Sequence, residues 1–254
     1  MIGNEAVVQK SKTWKQVNTY QQCPQLGDLL NAWISAVERY TSQFPDNPWS
    51  YNERAILSTL AGAAWTMDGW VAMEEFATSK RLRKLEPGVD HGDKLRNGRC
   101  DLFVSSPEAS FVFEAKQANQ PTSQPANQPI GARSDGYSYA YKAMGAAWED
   151  IGDVQVGEAD YRFAATFVVP MIPLGEIIPE GGTLGDICAK KVEGFLKPWL
   201  EKTMGCLGKG AKHQDFAFIF PNLGNTDYVM RGRHYPGVVL VLKERRRATS
   251  RSAA

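Results

Sequence analysis

The spacing of apolar residues constrains the fold of this chain more than any other feature of its sequence. Stripes with the three- and four-residue spacing of an amphipathic helix run over residues 29–40, 50–65 and 137–151. Between and after them lie short apolar segments with the length of strands. These segments cover residues 70–76, 100–104, 111–116, 163–169, 216–220 and 238–242. The interleaving predicts an α/β protein whose central mixed sheet is flanked by helices on both faces.

The connecting segments contain residues that end helices and strands. A Pro-Asp-Asn-Pro sequence at 45–48 closes the first helix, and the charged residues 77–97 predict a loop. Three Gln-Pro pairs within residues 117–130 predict a second irregular loop. Thr183 is the expected cap of a further helix, which Pro198 is expected to kink or split. None of these segments marks a domain boundary, so we expect a single domain over residues 1–254.

Composition excludes several classes of protein. The chain has 254 residues, with 29 Lys and Arg against 28 Asp and Glu, so its formal net charge is +1. A uniformly basic protein that coats nucleic acid is therefore excluded, and any phosphate-binding surface has to be local. No apolar run has signal-peptide length or the ~18 residues of a membrane span, so no membrane contact is expected. The four cysteines form no CxxC pair, which disfavours structural zinc and fits buried thiols in the cytoplasm.

A glutamate interrupts the apolar stripe of the second helix. At 100° per residue, Glu53 lies on one line with Leu57, Leu60 and Ala64, on the face expected to contact the core. Burial of an unpaired carboxylate costs several kcal/mol, so this position suggests a functional group. The alternative is that Glu53 lies in the first helical turn, where its charge suits the helix dipole and water is close.

Two of the strand segments also carry charges. Asp101 lies inside the strand 100–104, on the face opposite Cys100, Leu102 and Val104, and Asp is depleted in strand interiors. Glu114 and Lys116 stand next to each other on one face of the strand 111–116. Taken singly, each position has a simple alternative, because an exposed strand face or a solvated ion pair would also accommodate it.

Together these charges predict a metal site. Asp101 and Glu114 have hairpin spacing, so their carboxylates are expected to be neighbours, and they repel each other unless a cation lies between them. Hard oxygen ligands on a rigid sheet suit Mg²⁺, with Mn²⁺ as the alternative. Such an ion acidifies bound water and neutralises charge on a phosphorus centre. Beside it, Lys116 would have a lowered pKa and could orient the attacking water or stabilise the charge of the transition state.

The order of these motifs resembles the PD-(D/E)XK nuclease superfamily, which has the restriction-endonuclease-like fold. The matching segments are Asn52–Ile56 at the start of a helix, Gly69–Phe76, Gly98–Leu102 and Phe111–Gln117. The resemblance covers about residues 50–170. It implies a single nuclease-like domain with this core, an N-terminal helical extension and a C-terminal α/β extension.

The resemblance also implies roles for individual residues. Asp101, Glu114 and the main-chain carbonyl of Ala115 would bind the metal, Glu53 would complete or support the site, and Lys116 would be the catalytic lysine. The implied activity is that of a Mg²⁺-dependent deoxyribonuclease, with DNA as its partner.

The sequence departs from the superfamily pattern at two places. Cys100 stands where a proline often precedes the Asp, and Tyr137 stands where the RecB-like branch has Gln, four residues before Tyr141. The branch is therefore open, and so are two alternatives to an independent nuclease. One is a catalytically inactive module that binds nucleic acid or protein. The other is a nuclease subunit of a genome-defence or mobile-element complex, with a homo-oligomer or a partner protein contacting residues 1–48 and 170–254.

Basic residues precede the Asp101 strand and follow the Glu114 strand. A role in tracking phosphates is one interpretation, and a solvated charged loop is the other. By resemblance, the helix after the third strand presents residues to the DNA backbone. The candidates for binding nucleic acid are Lys80, Arg81, Arg83, Lys84, Arg99, Tyr141 and Lys142.

Overall fold

The computed structural model describes residues 13–20, 23–81, 95–123, 138–155, 157–207 and 215–246. The helices are α1 (Pro24–Gln43), α2 (Glu53–Ala64), α3 (Tyr139–Asp153), α4 (Leu174–Ile177) and α5 (Ala189–Leu207). The strands are β1 (Trp14–Asn18), β2 (Val71–Arg81), β3 (Leu95–Ser105), β4 (Ser110–Pro121), β5 (Tyr161–Pro173), β6 (Asp215–Phe220), β7 (Val229–Met230), β8 (Arg233–His234) and β9 (Val238–Glu244). Short 3-10 turns lie at Pro48–Ser50, Leu184–Asp186 and Thr226–Tyr228.

The strands form one mixed sheet, as the apolar segments predicted. Its order is β1-β6-β9-β5-β4-β3-β2, and the small β7-β8 hairpin is attached to the end of β5. β4 and β5 are parallel, whereas the other neighbouring pairs are antiparallel. The parallel pair requires a crossover, and α3 lies in that connection.

Each face of the sheet carries its own apolar core, so the prediction of helices on both faces is confirmed. On one face α1 and α2 bury side chains such as Trp33 and Leu60 against the aromatic row that includes Phe113. On the other face α3 and α5 bury Met144 and Trp199 among residues of β5, β6 and β9. None of the helices in the described part of the chain is long and apolar enough to span a membrane.

The N-terminus of α2 fixes the position of Glu53. The Asn52 side chain accepts a hydrogen bond from the Ala55 amide at 3.0 Å and caps the helix, which makes Glu53 its first residue. Trp65 was expected in the buried stripe of this helix, but it is 60 % exposed because α2 ends at Ala64.

Two predicted loops are partly strands. Residues 77–81 and 95–97 continue β2 and β3 as an antiparallel ribbon, in which Thr78 pairs with Gly98. Residues 117–121 continue β4, which pairs in parallel with β5 as far as Pro121. In both cases main-chain pairing with a neighbouring strand outweighs the polar composition of the segment. The remaining parts of these loops, 82–94 and 124–130, lie outside the described residues.

The helices differ from their predictions in detail. The buried residues of α3 are Ala140, Met144, Ala147 and Ile151, whereas Tyr141 is exposed. The stripe is therefore rotated from the predicted one, and Tyr137 lies outside the described residues. Thr183 and Asp186 form the predicted capping box, but the turn that they close ends at Asp186. The longer α5 begins at Ala189 and includes Pro198 within one assigned helix.

Candidate active site

The candidate site lies where β3 separates from β4. The two strands pair from Ser105 and Ser110 up to Leu102 and Phe113, and the register ends there. Beyond this point the amide of Ala115 donates to Asp101 Oδ2 at 2.7 Å. These contacts place a carboxylate at the opening of the sheet, because it satisfies a main-chain donor that β3 has left.

Glu53 likewise accepts a hydrogen bond from a main-chain amide of β4, two residues after Ala115. The amide of Gln117 donates to Glu53 Oε2 at 3.0 Å, so the first residue of α2 reaches the free edge of β4. Burial raises the pKa of Glu53, although Lys116 and this amide act in the opposite direction. Glu53 thus lies both in the first turn of its helix and in the candidate site, which joins the two interpretations of the sequence.

The pairing of β2 with β3 is interrupted beside Asp101. The register runs through Glu74 and Leu102 and resumes at Phe76 and Cys100, and between them Glu75 has a φ of 52°. This left-handed conformation is costly for a residue other than glycine. The face of β3 changes across the irregularity, because Leu102 lies in the first core and Cys100 in the second. The prediction that Cys100 and Leu102 share a face is therefore wrong.

The Lys116 ammonium group lies among oxygen atoms from three other segments. Its Nζ donates to the Ala115 carbonyl at 2.8 Å and lies 3.2 Å from Asp150 Oδ2. Asp101 Oδ2 and Glu53 Oε1 are 3.8 Å and 4.0 Å from it. Burial lowers the pKa of Lys116, but the surrounding carboxylates outweigh burial and raise it above its usual value. The lowered pKa that we expected depended on a neighbouring metal ion.

Glu114 is buried and paired with a lysine from β2. The Glu114 side chain is 3 % exposed, and its Oε1 lies 2.6 Å from Lys80 Nζ. Burial raises the pKa of Glu114 to about 7, an effect that the Lys80 ammonium group reduces and the charge of Asp101 reinforces. Lys80 was predicted to bind nucleic acid from the charged segment 77–97, but its side chain is only 13 % exposed and is paired with Glu114.

Asp150 was missed from the sequence, and Lys80 was assigned to nucleic-acid binding and not to this cluster. Lys80 reaches Glu114 across Gly98 of β3, and a glycine inside a strand is the available signal for such a close approach. Asp150 comes from α3, where Ala143 and Ala146 precede it at helical spacing beside the buried stripe. A small-residue face that ends in a carboxylate is a weak signal, since such faces are also common on exposed helices.

Of the other predicted nucleic-acid residues, Lys142 lines a groove that begins at Lys116. Arg99 is 70 % exposed, with its Nη1 3.9 Å from Glu75 Oε2. Tyr141 and Lys142 are exposed near the start of α3. Arg81 is the last residue of β2. Arg83 and Lys84 lie outside the described residues.

An open groove of about 760 Å³ extends from Lys116 along the free edge of β4. The other wall is formed by the first half of α3 and by residues of β5 and β8. Among the described residues, the charged side chains that line it are Lys116, Lys142 and Arg233, all of them basic. The full lining consists of Lys116, Gln117, Ala118, Asn119, Pro121, Tyr139, Lys142, Ala143, Ala146, Met171 and Arg233.

The donor atoms of the cluster suit a hard divalent cation. Carboxylates and a main-chain carbonyl are the ligands that Mg²⁺ and Mn²⁺ prefer, and these oxygens already surround one positive charge, that of Lys116. Within the described residues, no group of three or more His, Cys, Asp and Glu side chains is arranged to hold a metal ion. The chemistry of the donors therefore fits, while lysine ammonium groups contact the carboxylates that would bind the ion.

Comparisons of the chain with protein-family models, curated proteins and solved structures found no match. The function of the protein is therefore inferred from the geometry of the site and from the motifs of the sequence.

Proposed function

We propose that this protein is a metal-dependent nuclease with a restriction-endonuclease-like fold, which hydrolyses phosphodiester bonds of DNA. The observation that supports the proposal is the convergence of Glu53, Asp101 and Lys116 from α2, β3 and β4 at one point of the sheet. Glu114 lies on the same strand as Lys116 and interacts electrostatically with Asp101. A set of charges chosen only from sequence motifs would rarely meet in this way if the motifs were accidental.

The roles follow from the contacts of each residue. Asp101, Glu114 and the Ala115 carbonyl would hold Mg²⁺, or Mn²⁺, with Glu53 completing the set. When bound, the ion supplies positive charge that acidifies water and offsets the charge of the phosphate. Lys116 is held beside the Ala115 carbonyl at 2.8 Å, where its ammonium group can orient the attacking water and stabilise negative charge on phosphorus.

The groove supports a polyanionic substrate. Lys142 and Arg233 line it beside Lys116, so a phosphodiester backbone lying along β4 would meet positive charge over the length of the groove. The net charge of +1 agrees with this arrangement, because acidic residues at the site and basic residues near it cancel in the total. We also propose a cytoplasmic protein, since Cys23 and Cys100 are buried free thiols.

A cleavage assay tests the proposal. Purified full-length protein is incubated with supercoiled and linear DNA in Mg²⁺, Mn²⁺ or EDTA, and cleavage is expected only with a divalent ion. Asp101→Ala and Glu114→Ala should abolish cleavage, whereas Glu38→Gln, an exposed partner of Lys15, serves as the control. Lys116→Met should remove turnover and leave metal binding intact by calorimetry. Unchanged cleavage in the Asp101 and Glu114 variants would refute the site.

A second candidate is a non-catalytic module of the same fold that binds nucleic acid or protein. It is favoured by the contacts of the carboxylates, because Asp101, Glu53 and Glu114 each have a protein donor or ammonium group as a partner. A folded protein that binds no Mg²⁺ or Mn²⁺ by calorimetry would support this candidate.

A third candidate is a nuclease subunit that acts only in a homo-oligomer or with a partner protein. It is favoured by Val71 and Met73, which are exposed apolar residues on β2, the strand at one edge of the sheet. Cleavage that requires a second component, or that appears only in an oligomeric fraction, would distinguish it from an independent nuclease.

A further inference from the structure

We propose that Lys80 is an internal counter-cation for Glu114, with which a divalent ion has to compete when it binds the site. The inference rests on the proposed metal-dependent function. It adds a residue that lies outside the Asp and Glu-x-Lys motifs and gives that residue a definite effect on metal affinity.

The first argument is the burial of the pair. Glu114 lies on β4 one residue beyond the last β3–β4 pair, where β4 still pairs with β5, and only 3 % of its side chain is exposed. An ionised carboxylate in such a place is stable only with a close partner. Lys80 Nζ is 2.6 Å from Oε1 and is itself largely shielded from water, so the two charges form a desolvated pair.

The second argument is the path that the side chain follows. β3 lies between β2 and β4, so Lys80 has to cross a whole strand to reach Glu114. It does so over Gly98, where an added Cβ would lie 2.8 Å from the Cγ and Cδ atoms of Lys80. Any larger residue at this position would push the stem of Lys80 aside. The pair therefore depends on a specific glycine and is built into the ribbon of β2 and β3.

The third argument is that the two lysines contact different carboxylates at different distances. Lys116 Nζ is 3.2 Å or more from the carboxylate oxygens of Asp150, Asp101 and Glu53, and its shortest contact is with a carbonyl. Lys80 is closer to Glu114 than Lys116 is to any of these carboxylates. A divalent ion held by Glu114 would take over the charge compensation that Lys80 now provides, so the two cations exclude or weaken each other.

Calorimetric titration with Mn²⁺ at pH 8 tests this proposal. Lys80→Met keeps the length of the stem and removes the competing charge. Once the proton that Mn²⁺ displaces from Glu114 is accounted for by titration in two buffers, the Kd of this variant should be about tenfold lower than that of the wild type. Lys80→Arg keeps the charge and should bind Mn²⁺ with an affinity similar to the wild type. Lys15→Met, which breaks an exposed pair with Glu38, should leave the Kd unchanged.

Thermal unfolding gives an independent measurement. Without metal, Lys80→Met should melt about 5–10 °C below the wild type, because Glu114 has lost its partner. Mn²⁺ should raise the melting temperature of this variant more than that of the wild type. If the variant is unfolded without metal, saturating Mn²⁺ should restore its native circular dichroism, and failure to do so would overturn the proposal.

The outcomes separate this inference from the proposed function. Equal or weaker Mn²⁺ binding by folded Lys80→Met would overturn the role of Lys80 and leave the nuclease proposal standing. Absence of Mn²⁺ binding by the wild type would overturn both, and the cleavage assay in EDTA would then show whether any activity remains.

Discussion

The raised pKa of Glu114 makes the stability of the metal-free protein depend on pH in an unusual direction. Burial raises this pKa from an ordinary 4.5 to about 7. The folded protein therefore holds the proton of Glu114 more tightly than the unfolded chain does. The resulting stabilisation is complete below pH 4.5 and is lost as the pH rises through 7.

Glu114→Gln removes this titration while it keeps the shape of the side chain. From the two pKa values, the wild type should lose about 2–3 kcal/mol of unfolding free energy between pH 5 and pH 8 relative to the variant. The loss is large compared with that of an exposed carboxylate, because the protonated form suits the apolar surroundings and the ionised form depends on Lys80.

Urea unfolding in EDTA at pH 5, 6, 7 and 8 measures the effect, with the free energy taken from midpoint and slope at each pH. The difference between wild type and Glu114→Gln should change steadily across this range, with most of the change below pH 7. Glu38→Gln, in an exposed ion pair, is the matched control and should follow the wild type in parallel. A difference between wild type and Glu114→Gln that stays constant across the range would refute the argument from burial.

The remaining predictions concern the surroundings of the site. Gly98→Val displaces the stem of Lys80 and should lower the unfolding free energy by about 1–3 kcal/mol in urea, whereas Gly62→Ala, with open space in α2, should raise it by about 0.5–1 kcal/mol. Asp150→Asn removes one of the charges that raise the pKa of Lys116, so NMR titration should give a lower value for that ammonium group. Arg233→Gln in the groove should weaken DNA binding and reduce the slope of log K against log salt by about 1, and Arg39→Gln on α1 should change neither.

The elements that the sequence predicted correctly are those governed by burial within one segment. The helix α1 and the strands β5 and β9 can be recognised from the spacing of their apolar residues, because these residues are buried in a core. The proximity of Asp101 to the Glu-x-Lys strand followed from hairpin spacing, which is also a local property. For the same reason the mixed α/β architecture could be predicted without any relative.

The features that could not be predicted depend on contacts between distant segments. The pairing of Lys80 with Glu114 requires β2 and β4 to lie on either side of Gly98, and the glycine alone does not indicate which strands lie beside it. The change of face between Cys100 and Leu102 coincides with the interruption of β2–β3 pairing at Glu75, and strict alternation along a strand does not predict such an interruption. Asp150 joins the site only because the crossover helix packs beside β4.

The hydrogen bonds at the free edge of β4 have a consequence for how the protein can be monitored. The amide protons of Ala115 and Gln117 are bonded to the carboxylates of Asp101 and Glu53, so their exchange with deuterium reports directly on those two side chains. An ion or substrate that redirects either carboxylate should change the protection of the amide that this carboxylate accepts from. The free edge of β4 thus contains two natural exchange probes of the site, which require no substitution.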